Sequence, residues 1–318
     1  YLYDAIMNQK KVIDVLSVEG DIYENIPMVR EHQKKAWVNI MYGCDEFCTY
    51  CIVPYTRGKE RSRRPQDIIN EVENLAQNGY VEVTLLGQNV NAYGKDFTDL
   101  NYTFSNLLKD LNKTSIKRLR FTTSHPRDLD DATIEVMALG GNIMPHLHLP
   151  VQSGSNEILK RMNRKSNGES IRKLIQKLRK EIPNVILRTT VMVGFPGETE
   201  EDFEELYNFL KEAKFDKLGA FMYSKEEGTG AEKMPNQIHP ATKKSRYNKI
   251  MKLQQEISRE NLENKIGTTQ KARIDGITKN QKYYVGRTYM DVPEIDGVVY
   301  IKNTKQLNLG DWVDCKIK

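Results

Sequence analysis

Three of the four cysteines fall in one short run, Gly43-Cys44-Asp45-Glu46-Phe47-Cys48-Thr49-Tyr50-Cys51, a CxxxCxxC spacing. Thiolates this close on one loop can wrap a single metal centre, and iron–sulfur clusters are held by such runs. A structural zinc site closes four ligands, usually from paired CxxC elements, and the sequence has no second pair. A disulfide reading fits poorly, because three clustered cysteines cannot all pair. Three ligands on a four-iron cube leave one iron open to a small molecule. The spacing therefore points to a 4Fe-4S cluster on Cys44, Cys48 and Cys51. Cys315 differs: in Trp312-Val-Asp-Cys-Lys-Ile317 it shares a strand face with Val313 and Ile317, the pattern of a core position.

Other chemistry-bearing residues surround this run or lie far from it. Arg57, Lys59, Arg61, Arg63 and Arg64 fall within eight positions directly after the cysteines. Such a cluster is either a solvated loop or a grip on phosphates, and its place beside a candidate active site favours a substrate-binding role. His146 and His148 alternate on one candidate strand, yet no carboxylate or third histidine completes a metal site, so satisfied pocket or core histidines are expected. Asp291, Glu294 and Asp296 form an acidic stretch that repels phosphates and suits a basic protein loop, unless it is simply a solvated turn around Pro293 and Gly297.

The elements that must position these residues follow from periodicity. From about residue 36 to 223, short apolar β-rich runs alternate with amphipathic helical stretches, the pattern of repeated βα units around a parallel sheet. Candidate strands are 37–41, 81–86, 118–121, 146–149, 185–193 and 218–222, and six strands make an incomplete barrel. Pro65 suits a first turn and Gly79 a left-handed cap around a helix at 67–78, and Thr199 with Asp202 reads as a capping box. A long polar helix is expected over 239–264, with Tyr247, Ile250, Met251, Leu253 and Ile257 near one stripe. After Gly267 come short alternating runs at 270–274, 282–286, 298–301 and 312–317, expected to close into a small all-β barrel. The fold class is thus α/β, a partial six-unit βα barrel with a C-terminal β module. The expected division is a linker at 1–30, a core at 31–255 and the module at 256–318.

Composition sets outer bounds. The 318 residues are 39% hydrophobic and 29% charged, and no apolar run approaches the roughly 18 residues of a membrane span. A net charge of +5 permits contact with nucleic acid without demanding it. The opening stretch has neither the apolar region nor the cleavage site of a secretory signal, so a cytoplasmic location and no membrane partner are expected.

CxxxCxxC with Tyr50 before the last cysteine, on the loop after the first strand of such a pattern, resembles the radical S-adenosylmethionine (SAM) superfamily. The longer string GCDEFCTYCIVPYTRGKERSR, LLGQNVNAYG ending at Gly94, FTTSHPRD from Phe121, HLHLPVQSGS from His146 and VGFPGETEEDF from Val193 resemble its methylthiotransferases, and the C-terminal module resembles a TRAM domain. The resemblance implies that SAM chelates the open iron and that one electron cleaves its sulfonium to a hydrogen-abstracting 5′-deoxyadenosyl radical. By position in these motifs it implies a SAM pocket lined by Tyr50, Gln88, Asn89, Ser124, Gln152, Arg164 and Val193.

As far as the histidine strand, the likeness is to enzymes that put a methylthio group on isopentenyl-adenosine beside the tRNA anticodon. From about Arg161 onward, stretches such as LRTTVMVGFPGETEEDFEEL look more like those that modify an aspartate of a small-subunit ribosomal protein. Thr190 also stands where the tRNA enzymes more often carry an acidic residue. An anticodon stem-loop is therefore the first expected partner and the ribosomal protein the second, with an electron-donor protein such as flavodoxin and a monomeric state. A different class, an RNA-binding module with a structural cluster, is disfavoured by the open iron. The family also carries an N-terminal domain with three cysteines and a second 4Fe-4S cluster. No cysteine stands upstream of Cys44 and the first residue is Tyr1, so the expectation is a fragment that binds one cluster and cleaves SAM without completing methylthiolation.

Overall fold

Six parallel strands arise where period-two alternation predicts them, each beginning or ending within two residues of its expected bounds. β1 (Lys35–Asn39) is followed by a short antiparallel pair, β2 (Met41–Tyr42) and β3 (Arg61–Ser62), which closes the base of the cysteine loop. β1 then pairs with β4 (Glu82–Leu86), and β4 with β5 (Arg118–Thr122). β6 (His146–His148), β7 (Ile186–Val193) and β8 (Lys217–Met222) form the second half in that order. Backbone bonds from Ser124 N to His148 O (3.0 Å) and from Leu119 N to Asn142 O (2.7 Å) join the halves. Among the described residues no ladder joins β8 to β1, so the barrel is open on that side. The structure, a computed structural model, describes residues 7, 8, 22, 24, 30 and 34–318; most of the expected 1–30 linker lies outside the described residues.

Alternation also sorts the barrel wall. Leu119 and Phe121 of β5 and Leu187 and Val191 of β7 belong to the buried apolar layer under the helices. The residues between them, Arg118, Arg120, Thr122, Arg188 and Thr190, take the inner face. The helices carry the expected signals: Pro65 opens Pro65–Gln77, Gly79 follows it at φ +82°, and Thr199 and Asp202 cap each other before Glu200–Ala213. The long helix Pro240–Glu263 buries Ile250, Leu253 and Ile257 and packs along β8, so it belongs to the core as much as it links two modules.

The C-terminal module is an antiparallel sheet of β9 (Thr269–Ile277), β10 (Tyr283–Arg287), β11 (Val299–Lys302) and β12 (Trp312–Lys316), in the order β11-β10-β9-β12. Among the described residues no ladder joins β11 to β12, so it is a half-barrel rather than the closed barrel expected. The floor of the parallel barrel docks against it instead. Arg118 donates to the carbonyls of Thr288 (3.1 Å) and Arg287 (3.2 Å) and lies 4.5 Å over the Trp312 ring. Glu82 pairs with Arg120 and Arg287 (2.9 Å each), burying a charge network between the modules.

Two further expectations are overturned here. The acidic stretch is not presented to a basic partner: Glu294 pairs with Lys35 (2.5 Å), Asp296 with Arg188, and Asp291 lies 3.6 Å from Lys217. Its cations come from three barrel strands far away in sequence, which local reading cannot see. Cys315 is half-buried rather than in the core, its S–H donating to Gln270 O (3.2 Å) across the ladder.

Candidate active site

Gly43 sets the path of the cysteine loop. Its φ of +74° and a Lys59 carbonyl 1.9 Å from where a Cβ would stand admit only glycine. Cys44 N then bonds Gly58 O (3.1 Å), Cys51 N bonds Cys48 O (2.9 Å), and Thr49 donates through N and Oγ1 to Met162 O and Arg161 O. The loop is thereby fixed over the carboxyl ends of the strands, where barrel active sites are built. All three thiols are free and line a cavity of about 360 Å³, with Gln88 and Asn89 after β4, Ser124 and His125 after β5, and Gln152 after β6. Tyr50 and Arg164 also line it.

Several groups in this cavity lack partners among the described residues although they are buried: Gln88 Oε1, Ser124 Oγ, His125 Nε2 and Arg164 Nε. Buried polar atoms are ordinarily paired, so four orphans around one cavity mark a place for a polar ligand. Arg164 is held by Pro150 O (2.8 Å) and stands 3.5 Å from the Tyr50 hydroxyl and 3.9 Å from Cys48 Sγ. Gln152 sits at φ +69° and is clamped between Thr190 O and Met192 N. Asn89 is engaged otherwise, donating to Asp128 (2.7 Å) and accepting from His125 N (3.3 Å), so it organises the wall. Val193 is packed in the apolar core and is not among the cavity's lining residues. Burial pushes the Cys44 thiol up to about 12 and raises Cys51, so these thiols ionise only against strong positive charge such as iron.

His125 and Glu46 were not singled out from the sequence. His125 Nδ1 accepts from Arg127 N (3.2 Å), which leaves the proton on Nε2, facing the cavity. Burial, then the charge of Arg164, pulls its pKa down to about 3, so the ring stays neutral and donates. Its signal was its place after Ser124 in the FTTSHPRD string. Buried Glu46, between the first two cysteines, pairs with Arg127.

The basic cluster divides. Arg63 is buried, bonding Glu24 (2.5 Å), Glu71 (2.8 Å) and Asn39 O (2.6 Å), and cannot meet a substrate. Its position just after β3 (Arg61–Ser62) brings it between Glu24, Glu71 and the Asn39 carbonyl, which turn it inward, against the sequence expectation. Arg64 is exposed but pairs with Asp99 (2.9 Å) over the Phe97 ring. Arg57 and Lys59 are exposed, and Arg61 is half-buried. His148 is satisfied by Thr122 (3.1 Å) and Thr190 (3.0 Å), as expected.

Residues 38–210, more than half of the chain, match the Radical SAM superfamily. The chain belongs to the radical SAM superfamily. Residues 266–318 match the TRAM domain. This radical SAM chain is similar to the tRNA-2-methylthio-N(6)-dimethylallyladenosine synthases of Bacillus cytotoxicus, 54% identical, and Bacillus subtilis, 52% identical, each over 279 residues covering 88% of this chain and 55% of that protein. A match of that length reaches well past the N-terminal half. The chain spans about half the length of these curated relatives. Among solved structures, the radical S-adenosylmethionine methyltransferase TsrM of Kitasatospora setae aligns over 62% of this chain and 38% of its own, at TM-score 0.52 and 16% identity, a likeness of fold.

Radical SAM proteins carry a 4Fe-4S cluster and SAM, and the residues present fit both. The three free thiols on one loop at the cavity supply the donor set that such a cluster takes. The orphaned donors and acceptors suit a ligand as polar as SAM. Replacing His125 by leucine is expected to weaken SAM binding about tenfold, the worth of one buried hydrogen bond, in equilibrium binding to the cluster-loaded protein. An unchanged Kd would place the Nε2 proton away from the ligand.

Proposed function

We propose that this radical SAM protein acts in methylthiolation of isopentenyl-adenosine beside the tRNA anticodon. Cys44, Cys48 and Cys51 hold the cluster; Tyr50, Gln88, Ser124, Gln152 and Arg164 surround SAM, with Asn89 bracing the wall. The observation that carries the reading is the cavity itself, three free thiols facing four orphaned polar groups at the carboxyl ends of the strands. When bound, the cluster and SAM supply a one-electron cleavage that yields a hydrogen-abstracting radical. The chain's own residues bind and orient: Arg164 stands beside Cys48 and Tyr50, and His125 presents a neutral donor. The catalytic unit runs through the helix Pro240–Glu263, whose Ile257 packs in the core, and the appended module follows it, later than the expected boundary between 255 and 256.

The tRNA target is supported by the likeness to tRNA-modifying relatives and by the exposed Arg57 and Lys59 beside the cysteine loop. The physical argument for the ribosomal protein has gone, since Asp291, Glu294 and Asp296 are engaged by Lys217, Lys35 and Arg188. A cytoplasmic monomer reduced by a flavodoxin-type donor completes the reading; no helix among the described residues is long and apolar enough to cross a membrane. The test compares binding of an anticodon stem-loop and the ribosomal protein as salt is raised. The stem-loop should bind and weaken steeply with salt, and Arg57→Ala should lower the salt slope by about one. Binding of the ribosomal protein alone would overturn the tRNA target. A reductant-dependent assay for 5′-deoxyadenosine excludes the non-catalytic RNA-binding module, which would release none.

A further inference from the structure

The inner face of the barrel is layered. Thr122, His148 and Thr190, on three successive strands, meet at 3.1 and 3.0 Å and close their own hydrogen bonds. Stepping back two residues along each strand returns to the same face one layer deeper, at Arg120, His146 and Arg188. That layer does not close. Arg120 bonds Glu82 through Nε alone, and both of its Nη groups lack partners, as do His146 Nε2 and Arg188 Nε. Arg120 is 1% exposed and His146 3%.

Charge is unbalanced in the same place. Arg118, Arg120, Arg188, Lys217, Arg273 and Arg287 gather at this floor against the carboxylates of Glu82, Asp275, Asp291 and Asp296. Glu82 is already shared by Arg120, Arg287 and Arg273. Burial lowers the affinity of Arg120 for its proton, and His146 is driven neutral by burial and by Arg120 and Arg188. Water would satisfy the N–H groups but not the surplus charge; an anion answers both.

We propose that the floor of the barrel binds one small monovalent anion of halide size, held by Arg120 Nη1 and Nη2, His146 Nε2 and Arg188 Nε. The anion sits at the seam with the C-terminal module, because Arg120 shares Glu82 with Arg287 and Arg188 pairs with Asp296. It is a structural site, away from the cysteine loop, and independent of the proposed reaction.

Bromide is the probe. Crystals of the whole chain grown in sodium bromide should show an anomalous peak at the bromine edge within about 3.5 Å of the Arg120 Nη atoms. In solution, replacing gluconate by bromide at constant ionic strength should raise the unfolding midpoint by roughly 2–4 °C. Bromide is ordinarily the more destabilising salt, so a rise marks a specific site. The rise should vanish in Arg120→Gln. His146→Leu removes one donor without touching a charge; it should reduce the rise and serves if Arg120→Gln fails to fold. Density without an anomalous peak, a midpoint that does not rise, or an equal rise in His146→Leu would each overturn the anion.

Discussion

Replacing Cys48 by serine is expected to take bound iron from about four per chain to near zero after anaerobic reconstitution, and reductant-dependent 5′-deoxyadenosine to background. Cys48 is the most buried of the three cysteines, and its neighbours are fixed by Cys51 N to Cys48 O and by Arg164 across the cavity. A serine hydroxyl does not ionise there, since burial already pushes even the Cys44 thiol up to about 12. Cys315→Ser is the control. It lies in the other module, bonded to Gln270 O, and should leave iron and product unchanged. Iron near eight in the unmutated chain would mean a second cluster and would overturn the single-cluster reading.

Glu82→Gln is the substitution expected to cost most in stability, about 3–5 kcal/mol, because it leaves Arg120 buried without its counter-charge and Arg287 with Asp275 alone. Burial alone would raise the Glu82 carboxyl, but bonds and charge from Arg287, then Arg120 and Arg118, outweigh it and hold the pKa down to about 2. A depressed carboxylate stabilises the fold above its ordinary value near 4.5, and that contribution is lost as pH falls from there towards 2. The shift corresponds to about 3 kcal/mol. Urea unfolding at pH 6 and pH 3 checks both statements. The wild type should lose stability on acidification, and Glu82→Gln, already lower at pH 6, should lose less. Equal losses would mean Glu82 is not the carboxylate that titrates.

The proposed cluster ligands could be read from the sequence because three cysteines on one loop need no distant partner to suggest their chemistry. Gln88, Ser124, Gln152 and Arg164 were legible only through motif likeness, and the cavity brings them together because parallel strands end on one side. Val193 was misplaced: it ends a strand as the others do but packs in the apolar core. His125 was missed because its role depends on which ring nitrogen is already engaged, a fact of backbone geometry at Arg127.

By itself, then, the sequence determined the six-strand βα succession, the cysteine loop and the C-terminal module, since periodicity and short spacings are local properties of a chain. Only the tertiary structure decided which charges are available. Arg63 and the acidic stretch from Asp291 to Asp296 read alike as exposed charge, yet Glu24, together with Glu71 of the following helix, engages the first, and cations of three distant barrel strands the second. The reason is physical: a charge is committed by what lies within a few ångströms of it, and in a barrel those neighbours come from strands dozens of residues apart.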